Sequence, residues 1–144
     1  TSLFFSITSQ KAYKNLDSSE KLSLGGASGI RAYPSGEGSG SSGTTITVEL
    51  RKKIPTLEMV EAFTFFDYGQ VYVNEKKYSG AVEKNILNYK GLGLGLNIAG
   101  PLDTTTKIVW SHRIGDNPNP SQNGKDQDGQ KREDRFWISS SLNY

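Results

Sequence analysis

The sequence predicts an all-β chain, an antiparallel sheet of six strands of the kind that closes into a transmembrane β-barrel. Three observations predict it. Apolar and polar residues alternate with period two in six segments, which is the strand signal. The connections between those segments are alternately long and short. The segments are also long enough for tilted strands of about 9 to 11 residues to cross a bilayer.

In residues 3–12, Leu3, Phe5 and Ile7 alternate with Phe4, Ser6 and Thr8. Residues 44–51 alternate most cleanly, with Ile46, Val48 and Leu50 on one face and Thr45, Thr47, Glu49 and Arg51 on the other. Residues 57–73 form a long aromatic segment. In 86–99, Leu92, Leu94, Leu96 and Ile98 share one face and Gly91, Gly93, Gly95 and Asn97 the other. Segments 104–114 and 132–144 complete the set. Connections 13–43, 74–85 and 115–131 are long, whereas 52–56 and 100–103 are short. Outer-membrane barrels have short periplasmic turns and long extracellular loops, so this pattern predicts a periplasmic C-terminus with loop 13–43 outside.

Composition narrows the classes without choosing among them. Only 34% of the residues are hydrophobic and mean hydropathy is −0.55. Barrel strands alternate lipid-facing and lumen-facing residues, so their average hydropathy is low. A soluble antiparallel sheet would alternate in the same way, and a soluble β-domain for adhesion stays open on pattern alone. No apolar run is long enough for a spanning helix. A net charge of +2 is too small to imply nucleic acid as a partner. Cysteine is absent, which removes disulfides and thiolate metal sites. Thr1 onward lacks the basic and apolar regions of a signal peptide; the chain starts inside what reads as a strand, as a fragment would.

Four motifs stand out. Within loop 13–43, Leu24-Gly25-Gly26 is followed by Ile30-Arg31-Ala32-Tyr33-Pro34, and a connection of this length without secondary structure of its own is usually functional or disordered. Phe65-Phe66-Asp67-Tyr68-Gly69 lies in the third segment, where period two puts Phe65, Asp67 and Gly69 on one face. A carboxylate aimed at lipid is costly, so that face is predicted to line the lumen. Gly91-Leu92-Gly93-Leu94-Gly95 is no dinucleotide fingerprint, because no helix follows it. Its glycines predict either strand curvature or the close approach of another backbone. Finally, Phe136, Ile138, Leu142 and Tyr144 share the even face of the last segment, as in a closing barrel strand whose terminal aromatic sits in the periplasmic girdle.

Two further features carry less. Asp126-Gln127-Asp128-Gly129 resembles part of a calcium loop, but aligning its glycine to the sixth position puts Gly124 first and Arg135 twelfth, where acids are needed. It reads as a solvated turn. His112 is the only histidine, so neither a catalytic triad nor a zinc site is predicted. Nothing points to an enzyme, a metal or a cofactor.

The loop motif and the Phe-x-Asp-x-Gly motif together resemble the two-partner secretion transporters, the haemolysin secretion/activation or TpsB family. In that family and its wider superfamily the long extracellular loop folds back into the pore and carries a Val-Arg-Gly-Tyr type tetrad. Here Ile30, Arg31 and Tyr33 match the first, second and fourth positions, and Ala32 replaces the glycine at the third. The resemblance implies that residues 1–144 are about six C-terminal strands of a sixteen-stranded barrel in the bacterial outer membrane, with a long pore-inserted loop. It implies a latch between Arg31 and Asp67, supported by Gly25, Gly26, Ile30, Tyr33, Phe65 and Gly69. The glycine stripe Gly91, Gly93 and Gly95 would face the pore, either as clearance for the loop or as a source of curvature. Leu142 and Tyr144 would form an assembly signal for the barrel assembly machinery. The implied partners are outer-membrane lipid and one secreted exoprotein, a haemolysin or adhesin; the POTRA domains that would recognise it lie outside this sequence. A barrel-assembly factor of the same superfamily is the alternative.

Overall fold

The computed structural model describes residues 1–81 and 83–142. It is all-β. Strands β1 (Ser2–Gln10), β4 (Ser42–Ile54), β5 (Leu57–Tyr72), β6 (Ile86–Ala99), β7 (Thr104–Arg113) and β8 (Asp134–Leu142) form one six-stranded antiparallel sheet in the order β1-β4-β5-β6-β7-β8. Two short strands, β2 (Leu22–Ser23) and β3 (Ser39–Gly40), pair with each other inside the long first connection. That connection therefore has structure of its own: a small ribbon, with a bridge between Gly25 and Ile30 nearer its tip.

Register decides which side chains share a face. Glu49 lies opposite Phe65 and Thr47 opposite Asp67. Asp67, Phe65 and Phe63 in turn face Gly91, Gly93 and Gly95, and Gly91 and Gly93 face Arg113 and Ser111. Because directly paired residues point the same way, these residues form one continuous face. The long connection folds onto it, and we call it the inner face. The outer face carries Val48, Leu50, Phe66, Leu92, Leu94, Leu96, Ile108, Trp110, Phe136 and Ile138 by the same register.

Burial follows from the loop. Leu24, Ile30, Ala32 and Tyr33 pack with Val71, Leu87 and Tyr89 of the sheet into one apolar cluster, all of them fully or nearly fully buried. Each large aliphatic or aromatic side chain so removed from water contributes about 1.5–3 kcal/mol. A second cluster, Phe63, Phe65 and Val109 with Trp137, lies further along the inner face. The outer face has no such cover: Leu94, Phe136 and Ile138 are more than half exposed.

Candidate functional site

Arg31 sits at the tip of the long connection with its side chain 4% exposed, and the inner face meets every part of it. Its Nε donates to Asp67 Oδ2 at 2.9 Å and its Nη2 to Oδ1 at 2.7 Å. The Arg31 backbone amide donates to the same Oδ2 at 3.1 Å. Thr47 Oγ1 donates to Oδ1 at 3.0 Å, which completes a carboxylate with four donors and no exposed surface. The third nitrogen of the guanidinium, Nη1, donates to Glu49 Oε1 at 2.6 Å. One face of the planar group lies over the Phe65 ring, 3.4 Å from its centroid. Only a planar, forked cation can serve two carboxylates edge-on while stacking on an aromatic ring.

The charges balance. Arg51 donates to Glu49 Oε2 through Nε at 2.8 Å and Nη2 at 2.6 Å, so two carboxylates face two guanidinium groups. A buried pair is itself weak proof of stability, but removing one partner strands the other and costs about 3–5 kcal/mol.

The main chain is fixed as firmly as the side chain. The Arg31 carbonyl accepts from Ser111 Oγ on β7 and from Trp137 Nε1 on β8, each at 2.7 Å. Residues from β4, β5, β7 and β8 thus converge on one loop residue, while β6 contributes space. A Cβ at Gly91 would lie 2.5 Å from the Ala32 Cβ. The methyl that this chain carries at the third tetrad position is accommodated by the glycine opposite it. Gly93 and Gly95 have a different role from loop clearance: a Cβ at Gly93 would strike the Trp110 carbonyl of β7 as well as the Phe65 ring, and one at Gly95 would strike the Phe63 ring. Close approach of another backbone therefore describes Gly91, against the loop, and Gly93, against the Trp110 carbonyl, whereas Gly95 makes room for the Phe63 ring, which neither curvature nor loop clearance anticipates.

The remaining motif residues shape the seat. A Cβ at Gly69 would come within 3.1 Å of the Ile30 and Leu24 side chains. Gly25 lies against the Pro34 carbonyl with no room for a side chain. Gly26 has φ 124°, in the region that favours glycine, and its amide donates to Tyr33 O at 3.1 Å. Tyr33 meets Tyr89 edge to face at 4.8 Å and carries the Arg113 guanidinium 4.5 Å above its ring. Leu142 pairs with Thr104 at the end of β8 and is exposed. Tyr144 lies outside the described residues.

The reading of Asp126 as part of a solvated turn is corrected. Asp126 is 3% exposed and accepts from Arg113 Nη2, from Arg135 Nη2 at 2.9 Å and from Asn117 Nδ2 at 2.8 Å. Burial on its own would raise its pKa; the hydrogen bonds from Arg113, Asn117 and Arg135 outweigh it and hold the carboxyl below its ordinary value. Among the described residues no cluster of acidic or histidine side chains is arranged to hold a metal ion.

Sequence reasoning placed Arg31 and Asp67 but missed Glu49, Ser111 and Trp137. The polar face of the second segment carried Glu49 in plain view, but its place opposite Phe65 depends on a register shift between Lys53 and Ile54 that the sequence pattern does not reveal. Ser111 and Trp137 give no such signal, lying 80 and 106 residues from Arg31 in the chain.

The model of the haemolysin secretion/activation proteins ShlB, FhaC and HecB matches residues 3–98. The chain belongs to that family. The haemolysin secretion/activation match spans the tetrad loop, the Asp67 strand and the glycine strand. The chain is also similar to the heme/hemopexin transporter protein HuxB from strains of Haemophilus influenzae. Identity is 33% over 124 residues in one strain and 34% over 123 in another, covering 75% of this chain and 22% of the relative. It therefore spans about a fifth of the length of these family relatives. They are transport proteins rather than enzymes. No solved structure matches the chain at a significant level.

Proposed function

We propose that this chain is the C-terminal part of an outer-membrane pore through which a two-partner secretion transporter exports one large secreted protein. The loop between β1 and β4 is the element held inside the pore, and Arg31 on Asp67 is the latch that holds it. The observation that carries the reading is the convergence of four strands on Arg31, in a loop that covers one face of a sheet whose other face is bare and apolar. In this reading the outer face meets lipid, because an apolar face this large is otherwise an association site. The open edges of β1 and β8 pair with the rest of a sixteen-stranded barrel, since unpaired edges do not persist in hydrocarbon.

The cargo is a secreted partner of haemolysin or adhesin type, or one connected with heme and hemopexin, as the name of the relatives says of them. The test uses the full-length parent. It should fractionate with the outer membrane and require detergent, and Arg31→Ala should reduce export of the cognate partner per folded barrel. A parent that is monodisperse without detergent, or full export from the variant, overturns the reading.

A further inference from the structure

Arg31 is not the only buried charge by which the loop is held. Glu37 lies on the returning limb of the loop, 1% exposed. Its backbone carbonyl accepts from Gly25 N at 2.9 Å and so ties the two limbs together. Its carboxylate turns away from that limb and toward the connection between β7 and β8, residues 114–133. There Oε1 accepts from Asn117 Nδ2 at 3.0 Å and Oε2 from the Gln127 amide at 2.8 Å. The same Asn117 amide donates to Asp126 at 2.8 Å, so one NH2 group with two hydrogens is shared between two buried carboxylates. Asp126 is bound to Arg113, and Arg113 lies on the Tyr33 ring. A chain of contacts therefore leaves the loop at Glu37, passes through Asn117, Asp126 and Arg113, and re-enters the loop at Tyr33.

We propose that connection 114–133 is a strap that holds the stem of the pore loop at the outer rim, with Asn117 as its joint, independently of the latch at the tip. The physical argument is that neither Glu37 nor Asp126 can lose Asn117 without leaving a buried carboxylate short of a donor, which costs more than the hydrogen bond itself contributes. The strap shares no residue with the Arg31, Asp67 and Glu49 cluster. Release of the loop from the pore thus requires two separate events, and the one at the rim is open to whatever acts on 114–133 from outside.

The proposal rests on the loop being the pore element, and its test reads loop contacts rather than export, so the two readings fail separately. Hydrogen exchange would be measured on the full-length transporter in detergent or lipid nanodiscs. Two variants would be compared with wild type: Asn117→Asp, which sets three carboxylates together, and Glu37→Gln, which keeps the shape and turns an NH2 group toward one of the two donors, the Asn117 NH2 or the Gln127 amide. Both should speed exchange of residues 34–40 and 115–130 by about tenfold or more, leaving the tip at 28–32 and the β5 and β6 strands unchanged. Faster exchange confined to the loop that carries the substitution, or spreading equally to the tip, overturns the strap.

Discussion

Arg31 presents one edge to Asp67 and the remaining nitrogen to Glu49, with Nε to Oδ2 at 2.9 Å, Nη2 to Oδ1 at 2.7 Å and Nη1 to Oε1 at 2.6 Å. This unequal sharing predicts a graded series. Arg31→Ala strands the buried Asp67 carboxylate and leaves Glu49 with Arg51 alone, and should cost the most, on the order of the 3–5 kcal/mol seen when a buried pair loses a partner. Asp67→Ala leaves Arg31 with Glu49 and should cost less. Glu49→Gln leaves the bidentate pair intact and should cost least. Unfolding midpoints of the full-length barrel and protease sensitivity of its loop would rank the three, and a Glu49 variant as severe as the Arg31 variant would refute the order. Arg31→Lys should resemble alanine more than wild type, because an ammonium cannot fork across two carboxylates.

How far the sequence reveals this arrangement depends on the kind of signal. The six strands were legible because period two is written locally, and the observed strands fall within a few residues of the predicted segments at each end. Loop 13–43 was read as lacking secondary structure because β2 and β3 are two residues each, too short to alternate. The Asp67 face followed from periodicity, whereas its contact with Arg31 came only from the resemblance. The strap was invisible because its members are 80 to 90 residues apart. Asp126 was judged only as a metal ligand, and failing that test says nothing about whether arginines will surround it.

The fit of Ala32 against Gly91 predicts a compensating pair. Gly91→Ala should push the loop tip off the sheet, since its new methyl would stand 2.5 Å from the Ala32 Cβ. Adding Ala32→Gly should return the space. Exchange at residues 30–33 and export per folded barrel would read both steps. If the double variant is no better than Gly91→Ala alone, the two residues do not share that volume.

The bare outer face predicts where a charge is intolerable. Leu94 lies between Thr64 and Trp110 in the register and points away from the loop. Leu94→Arg should cost roughly 2–4 kcal/mol if the position is near the bilayer midplane, seen as less folded barrel in the membrane. Gly93→Ser, on the other face, would press on the Trp110 carbonyl and the Phe65 ring, and should disturb the seat of the loop while impairing insertion less than Leu94→Arg. Normal assembly of the Leu94 variant would count against lipid on this face.

The strap should resist acid further than an ordinary carboxylate would. Burial alone would raise the Asp126 pKa, but the hydrogen bonds from Arg113, Asn117 and Arg135 bring it below its ordinary value. A carboxyl whose folded pKa is depressed contributes stability above the unfolded value, near 3.9, and loses it as pH falls through the folded value. Exchange at 115–130 should therefore stay slow through about pH 4 and quicken only below it. In Asp126→Asn that acid step should vanish, with exchange fast throughout. Opening of the wild-type strap between pH 5 and 6 would place its titration elsewhere.

Trp137 predicts that the last strand and the loop tip are coupled. Its Nε1 and the Ser111 Oγ donate to the same carbonyl, that of Arg31, each at 2.7 Å. A carbonyl has two lone pairs, so losing one donor leaves the group half-satisfied, and losing both buries it without a partner. Trp137→Phe removes the N–H and keeps an aromatic ring beside Phe63, Phe65 and Val109; Ser111→Ala removes the other donor at almost no change in volume. Each single variant should loosen the tip modestly, by about 1 kcal/mol in a net hydrogen bond. The double variant should exceed their sum, because only it strands the oxygen, and a double-mutant cycle should show that excess. Exchange at residue 32, whose amide follows this carbonyl, provides the readout at the site. A strictly additive double variant would mean that water takes the place of the missing donors, and that β8 and the tip move independently.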